Sequence, residues 1–514
     1  MDGNTFMSDL KRYCVAISNG SLYTDKTSSV MSAVSSLVKF TDDKIIQSAE
    51  HNQKLYIADY AATVIEGTDG VLSSSGTVLT ASGVSDWTAL GIDTGLHAVY
   101  LSNIGGSSTA IGTYAIANIA AGSITLVSPG AGITGTCSYK IFVTPKYYDP
   151  TLDNISFWLA TTGVVPPNCS IVAKYRSRLV LAGDQDSPHL WYMSRVNNPF
   201  DWDYSQSDVS RAVAGQDSEA GMIGDTITAL IPFSTDYLIF GCHSSIWAMY
   251  GDLANGGSIN NVSYSHNILS ATSWCYGPGS EVIFLSSDGL YAITYSSDDG
   301  MGMRPLSQEL LPRDFFNIDM TLNEISMVFD NRAYGVHIFI ISKGGAVRTH
   351  YWFDWKTQTF WPVKLQNNHE PMVVLNRTSY VASDENAVLG CRDGYLRQFD
   401  NDALNDDGTA IENYVKIGPL RLGNGYNEGM LAELLGTLAE GSGNVSWTIY
   451  TGKTAEEALA ATSFLTGTWK AGRNLTTRPR ARGDSLVLKL TGTADSTWAV
   501  EEMQITAMPK GRLR

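Results

Sequence analysis

The chain has 514 residues, enough for roughly two to four domains. Its net charge of −16, from 35 basic and 51 acidic side chains, excludes a sequence-independent grip on nucleic acid, which needs clustered Lys and Arg to displace counterions. Only 17% of residues are charged, while 12 Trp and 25 Tyr are spread along the chain, a balance suited to a surface covered by partners or coated with Ser, Thr and Asn.

From the N-terminus, MDGNTFMSDLKRY has no basic run followed by an apolar core, and no stretch approaches a membrane-spanning length, so neither secretion nor a membrane span is expected. Short runs of β-formers bounded by Gly, Asn, Asp and Ser then dominate, and helical periodicity is almost absent. The expectation is an all-β chain. A loose repeat of a strand, a polar turn and an aromatic-rich strand occurs at 54–67, 178–194, 236–252, 281–295, 335–355 and 387–400. After the first instance the spacing is close to that of propeller blades, so the pattern predicts a β-propeller of about six blades, each repeat being a blade's inner hairpin. A sandwich with the same spacing is the alternative. Asp288-Gly289 and Gly344-Gly345 supply tight turns, and Trp361 is expected to pack between blades.

The gap between the first and second repeats is too long for one blade and is rich in Gly, Ser, Thr and Ala. It reads as an inserted small β-domain. Beyond an acidic linker at Asp400 to Asp407, VSWTIYTG, SLVLKLTG and WAVEEMQITAM predict a C-terminal β-sandwich, with a short helix capped at Thr454-Ala455-Glu456-Glu457. The expected domains are 1–67 as the propeller start, 68–144 as the insertion, 145–405 as the propeller remainder and 406–514 as the sandwich.

The motifs of chemistry along the chain are incomplete. Gly452-Lys453-Thr454 lacks the upstream Gly of a phosphate loop, since Trp447 stands there. Ser296 to Gly300 resembles half of an aspartate box but does not recur, and Arg482-Gly483-Asp484 reads as a solvated loop. Cys242 and His243 adjoin on a strand and so point to opposite faces, unable to act as nucleophile and base together. Six cysteines (Cys14, Cys137, Cys169, Cys242, Cys275, Cys391) form no C-x-x-C pair, and eight histidines are isolated, so neither a zinc knuckle nor a disulfide framework is expected and a reducing compartment of synthesis fits. No catalytic, cofactor-binding or metal-ligating residue is assigned, no cofactor is expected, and the chain is read as a non-enzyme.

The segment RLVLAGDQDSPHLWYMSRVNNPFDWD (178–203), followed by GDTITALIPFSTDYLIFGCHSSIWAMYGD (224–252), resembles the central region of tail nozzle, or tail tubular, proteins of short-tailed bacteriophages and the related packaged-DNA stabilisation proteins. The matching stretches are Leu181 to Gly183, Trp191 to Ser194, Asn198 to Trp202, Gly224 to Leu230 and Ser245 to Trp247, with a similar C-terminal pattern from Arg478 to the end. These are packing and turn residues. The resemblance implies a structural virion protein of the phage tail, made in the host bacterial cytoplasm. It implies a homo-oligomeric, hexameric ring beneath portal and adaptor or head-completion protein, meeting a tail fibre or spike, with DNA passing through its lumen without specific binding. The acidic excess lies before about residue 409, so the arginines Arg473, Arg478, Arg480 and Arg482 are candidate subunit contacts. The competing expectations are a virion-associated propeller enzyme, such as a polysaccharide depolymerase, and a receptor-binding adhesin.

Overall fold

The computed structural model describes residues 2–8, 11–26, 30–42, 44, 46–59, 62–73, 76–105, 111–127, 134–215, 222–296, 300–307, 315, 318–346, 348–366, 369–378, 385–400, 403–424 and 427–512. Side chains are described from Arg12 to Lys510 within those ranges. Two compact units result, Met1–Phe399 and Asp400–Arg514.

The first unit is a β-propeller of seven blades. Each blade is an antiparallel sheet running outward from an inner strand. Blade 1 comprises Asp2–Ser8, Lys11–Ser18, Ser21–Thr24 and Ser32–Ala33; blade 2 comprises Gln47–His51, Lys54–Ala58, Lys146–Asp149 and Asn154–Phe157. Blade 3 is Ile171–Tyr175, Arg178–Ala182, Trp191–Met193 and Val213–Ala214, and blade 4 is Ile227–Pro232, Tyr237–Cys242, Ile246–Tyr250 and Ser258–Ser263. Blade 5 is Trp274–Tyr276, Val282–Ser286, Gly289–Ser296 and Gly300–Pro305; blade 6 is Asn323–Asp330, Gly335–Ser342, His350–Asp354 and Thr359–Val363. Blade 7 has, among the described residues, the strands Pro371–Arg377, Asn386–Cys391 and Leu396–Gln398.

Apolar runs in the second strands explain why the sheets stack around an axis. YLIFGC of blade 4, VIFLS of blade 5 and GVHIFIIS of blade 6 are buried on both faces, because alternate side chains pack into the seams on either side. Six seams hold an apolar cluster: around Leu22 and Ile57, Trp158 and Leu181, Phe240 and Met249, Ile268 and Phe284, Ile325 and Phe353, and Phe339 and Leu389. Removing one such side chain, as in Ile283→Ala, costs on the order of 2–5 kcal/mol. Neighbouring inner regions are also tied directly. Thr272 Oγ1 donates to the Ile325 carbonyl at 2.5 Å, and the Val374 N–H donates to Ser326 Oγ at 3.0 Å. The ring closes where Pro371–Arg377 lies beside Asp2–Ser8, and Arg377 reaches Asp25 at 3.4 Å across that seam. Among the described residues no strand is exchanged in closing it: blade 1 uses residues before 34, and blade 7 residues after 370.

Four expectations are corrected. The repeat units are the second and third strands of the blades, not inner hairpins, since each inner strand precedes the repeat as a run of its own. The first unit, 54–67, is not a hairpin of one blade: Lys54–Ala58 belongs to blade 2 and Thr63–Leu72 to the insertion. Blade 1 went uncounted because its short strands carry no aromatic-rich partner, so there are seven blades where about six were expected. Trp361, on the outer edge strand of blade 6, is 57% exposed rather than packed between blades.

Where the sequence places a small β-domain, a closed six-stranded barrel stands, built from Thr63–Leu72, Val78–Ala81, His97–Ser102, Gly112–Ala120, Ser123–Leu126 and Gly135–Val143. It interrupts blade 2 between that blade's second and third strands. At its root Asp59 and Lys146, both with 0% side-chain exposure, meet at 2.5 Å. Asp59 also accepts the Thr41 N–H through both oxygens, at 3.2 and 3.1 Å. Burial pulls the Lys146 ammonium below its ordinary pKa, and Asp59 opposes that pull.

The second unit is a β-sandwich. One sheet orders Tyr414–Arg421, Ser485–Gly492, Val445–Gly452 and Leu465–Trp469; the other centres on Asn427–Leu438, flanked by Gly472–Arg473 and Ala481–Gly483 on one side and Val500–Arg512 on the other. Leu434, Trp447, Trp469 and Leu488 fill its core. The helix Ala455–Ala460 starts as expected: Thr454 Oγ1 accepts the Glu457 N–H at 3.1 Å, and Glu457 Oε2 accepts the Lys453 N–H at 2.9 Å.

Asp59→Ala strands a buried ammonium and is expected to lower stability by about 3–5 kcal/mol in urea unfolding, whereas the double replacement Asp59→Leu with Lys146→Met should recover most of it. His51, buried with both ring nitrogens unpartnered, has its pKa pushed down to about 4 by burial. The unfolded chain therefore binds the extra proton between about pH 6.5 and 4, so this contribution is complete above pH 6.5 and is lost as pH falls towards 4. Urea midpoints measured across that window should fall less steeply for His51→Phe than for the parent.

Candidate functional site

The loops joining second to third strands, together with the connections leading into the inner strands, gather at one end of the propeller axis. They surround a funnel of about 900 Å³ whose wall includes Lys44, Asp184, Thr226, Glu324, Lys343 and Arg392, contributed by successive blades. A side recess of about 360 Å³ shares Lys44, Glu324 and Arg392 with it and extends to Asn19 and Asp42 of blade 1 and its following loop.

The funnel's charges are of both signs and largely matched. Glu324 lies 3.5 Å from Lys343. Asp184 accepts the Tyr192 hydroxyl at 3.2 Å and the Asp186 N–H at 3.0 Å. Arg392 donates to the Ser342 carbonyl at 2.8 Å and lies 3.5 Å from Glu370. Glu370 is 2% exposed, and burial raises its pKa against the opposing pull of Arg392. Behind it, His350 accepts the Ile340 N–H through Nδ1 at 3.2 Å, which leaves Nε2 protonated and 3.9 Å from Glu370; burial holds the His350 pKa at about 4. Glu370 and His350 thus form the buried part of a brace between blades 6 and 7, which Arg392 meets from the funnel wall.

The barrel stands at this same end, because it replaces the second-to-third-strand loop of blade 2. Two blades hold it. Lys140 on the barrel meets Asp186 of the blade 3 loop at 2.6 Å, and Asn168 donates to the same carboxylate at 2.6 Å. On the other side Lys39, from the loop after blade 1, meets Asp93 at 2.7 Å, and its backbone N–H donates to the Gly95 carbonyl at 2.8 Å. The barrel is therefore held at the funnel's end of the axis by blade 3 and by the loop after blade 1, while the residues of the funnel wall come from the blades and the connections between them.

The residues of the central part of the phage resemblance lie in blades 3 and 4 and the turns between their strands, and its C-terminal part lies in the sandwich. Pro199, in the Asn198 to Trp202 turn, accepts the indole N–H of both Trp158 and Trp202, at 2.9 and 2.8 Å, between blades 2 and 3. Gly163, at φ +71, lies against that turn where a Cβ would sit 2.4 Å from the Trp202 carbonyl. Asp225 accepts from the Ser244 N–H and from the hydroxyls of Ser244 and Ser245, and Ser245 in turn accepts the Trp247 indole N–H at 2.9 Å. Arg178, 1% exposed, was not singled out from the sequence. It caps the carbonyls of Ser194, Val209, Ser210 and Arg211 and pairs with Asp252 at 3.0 Å. Its position at the start of a strand was the available signal.

The four arginines are all exposed and lie along one edge of the sandwich, on a segment that follows Asn427–Leu438. Arg473 is opposite Thr437, Arg482 opposite Met430, and Arg478 lies 3.3 Å from Glu433, while Arg480 sits at φ 55. The structure thus spreads them along an edge rather than bringing them together. Cys242 is buried and His243 exposed. Asp484 follows the strand containing Arg482, and Ser297 to Asp299 lie outside the described residues. Among the described residues no group of three or more His, Cys, Asp or Glu is arranged to hold a metal ion, and all six cysteines are buried thiols.

No family model matches the chain, and no curated protein matches it. Among solved structures it is similar to YjhT, at 8% identity and TM-score 0.32 over 70% of this chain and 97% of that one. It is also similar to Hsv2 of Kluyveromyces lactis, at 8% identity and TM-score 0.27 over 69% and 94% of the two chains, and to the phage phi92 endosialidase, at 14% and 0.23 over 71% and 55%. Likenesses this remote carry no function across. Fold and funnel define a β-propeller protein with an inserted barrel and a C-terminal sandwich.

The expected partners are corrected. No family or curated match links this chain to a hexameric ring, an adaptor, a fibre or spike, or a DNA lumen, and the solved structures it is similar to are of other kinds. The physical reason is that the resembling residues serve seam packing and turns inside blades 3 and 4, and such positions say nothing of the outer surface where partners would sit. Among the described residues no helix is long and apolar enough to cross a membrane.

Arg392→Ala is expected to cost about 2–3 kcal/mol, since it removes the stronger of the two cations that act on buried Glu370 and leaves Arg348 alone to oppose its burial. Lys343→Ala, at an exposed pair, should cost under about 1 kcal/mol. Thermal unfolding of both variants, and of Arg392→Ala combined with Glu370→Gln, checks the order.

Proposed function

We propose that this protein is a structural component of a bacteriophage tail, made in the bacterial cytoplasm and carried in the virion, and that it catalyses nothing. The observation that supports this reading best is the compensation inside the funnel. Its two wall carboxylates, Asp184 and Glu324, are engaged by a phenol and a backbone N–H, and by a lysine, so that neither is presented as an acid or nucleophile. The residues of the phage resemblance serve the same end, because they make blades 3 and 4 stiff. A propeller braced in this way is a platform that holds the barrel at one end of its axis.

A polysaccharide-cleaving propeller is the reading set against it. Peptide mass spectrometry of purified particles of the encoding virus should find the chain at structural abundance, and purified protein should release no reducing ends from capsular polysaccharide or peptidoglycan. Absence from the particles overturns the structural reading. Turnover that disappears in Asp184→Asn or Glu324→Gln overturns the non-catalytic one.

A further inference from the structure

At the end of the propeller axis away from the funnel, where first strands turn into second strands, blades 4 and 5 expose a row of tyrosines. Tyr237 opens the second strand of blade 4, Tyr250 closes its third strand, and Tyr295 lies near the end of the third strand of blade 5. The Tyr237 ring is 5.1 Å from that of Tyr250 and 5.1 Å from that of Tyr295, at interplanar angles of 42° and 43°. Tyr250 is 51% exposed and Tyr295 49% exposed. Contiguous ring surface left in water is a feature that a binding surface explains and a solvated one does not.

Tyr250 also forms one wall of a hollow of about 390 Å³ between blades 3 and 4, with Arg176, Asp236, Asp252 and Asn255 as its polar lining. The hollow is built rather than incidental. The Tyr175 hydroxyl lies 2.7 and 2.9 Å from the carbonyl oxygens of Asp236 and Gly251, its one proton shared between them, and so ties the two sides together. Gly257 lets the loop close tightly behind the hollow, since a Cβ there would lie 2.7 Å from both the Tyr250 carbonyl oxygen and the Asp252 carbonyl carbon. Its charge is balanced: Arg176 lies 3.4 Å from Asp236, and Asp252 is 3.0 Å from the buried Arg178.

We propose that this hollow and the tyrosine row bind a neutral oligosaccharide, the hollow holding one sugar and the row supporting the next. Tyrosine faces match the C–H faces of pyranose rings, and a guanidinium, carboxylates and an amide on one wall match paired hydroxyls. Internal pairing of the charges disfavours an ionic ligand, and the polar wall disfavours an apolar peptide anchor. The site is at the opposite end of the axis from the funnel and does not depend on the tail reading.

The test is saturation-transfer NMR on the full chain with maltohexaose, cellohexaose and chitohexaose as probes. Transfer to ring protons of at least one probe is expected. Tyr250→Ala should weaken that probe's affinity by about tenfold, while Tyr250→Phe, which keeps the ring, should stay within about threefold. Because Tyr250 is exposed, the thermal transition should not move; if it does, Tyr295→Ala reads the same row from the neighbouring blade. No transfer from any of the three probes, or equal transfer in the parent and the alanine variants, overturns the proposal.

Discussion

The propeller stays continuous through blade 2 because Asp59 and Lys146 meet at the base of the barrel. Strands two and three of that blade are separated by the whole insertion, and the loop entropy of bringing them together has to be offset locally. A buried ion pair is a costly way to do so, since both groups are stripped of water. Its advantage is specificity of register: Lys146 can satisfy Asp59 only when Lys146–Asp149 lies beside Lys54–Ala58, and Asp59 also fixes the loop arriving from blade 1 through the Thr41 N–H. Seams 1–2 and 2–3 then have a complete sheet to pack against.

Much of this architecture was legible because middle strands of a propeller are buried on both faces and read as unbroken apolar runs. Tyr237–Cys242, Val282–Ser286 and Gly335–Ser342 announce themselves in that way. Outer strands such as Ser32–Ala33 and Thr359–Val363 are short and largely exposed, and inner strands such as Ile171–Tyr175 and Asn323–Asp330, though as long and as buried as the second strands, stand apart from the strand-turn-strand repeat, so the pattern misplaces strands within a blade and passes over blade 1. The insertion was visible as a change in composition, but Lys54 to Gly67 read as one hairpin because local alternation does not say which sheet a strand joins. Trp361 shows the limit of residue type as a guide: it lies on an outer edge, with its indole N–H bonded to Thr359 Oγ1 at 3.1 Å.

Little of either candidate site could be read in advance. The funnel assembles single residues from six blades, and the hollow joins a turn of blade 3 to a loop of blade 4. Neither leaves a motif of fixed spacing. The polar residues that sequence reasoning did single out, the arginines of the sandwich, are separated along one edge by the strand they follow. Charge proximity in sequence was a weak guide to proximity in space.

Ring closure without an exchanged strand sets a timetable for synthesis. Blade 1 leaves the ribosome first, yet the face of Asp2–Ser8 that meets blade 7 has no neighbour until Pro371–Arg377 has been made. At elongation speeds of about 5–20 residues per second, that interval is roughly 20 to 70 s. Throughout it the nascent chain carries an unclosed arc with one bare edge, the period in which a chaperone has most to protect.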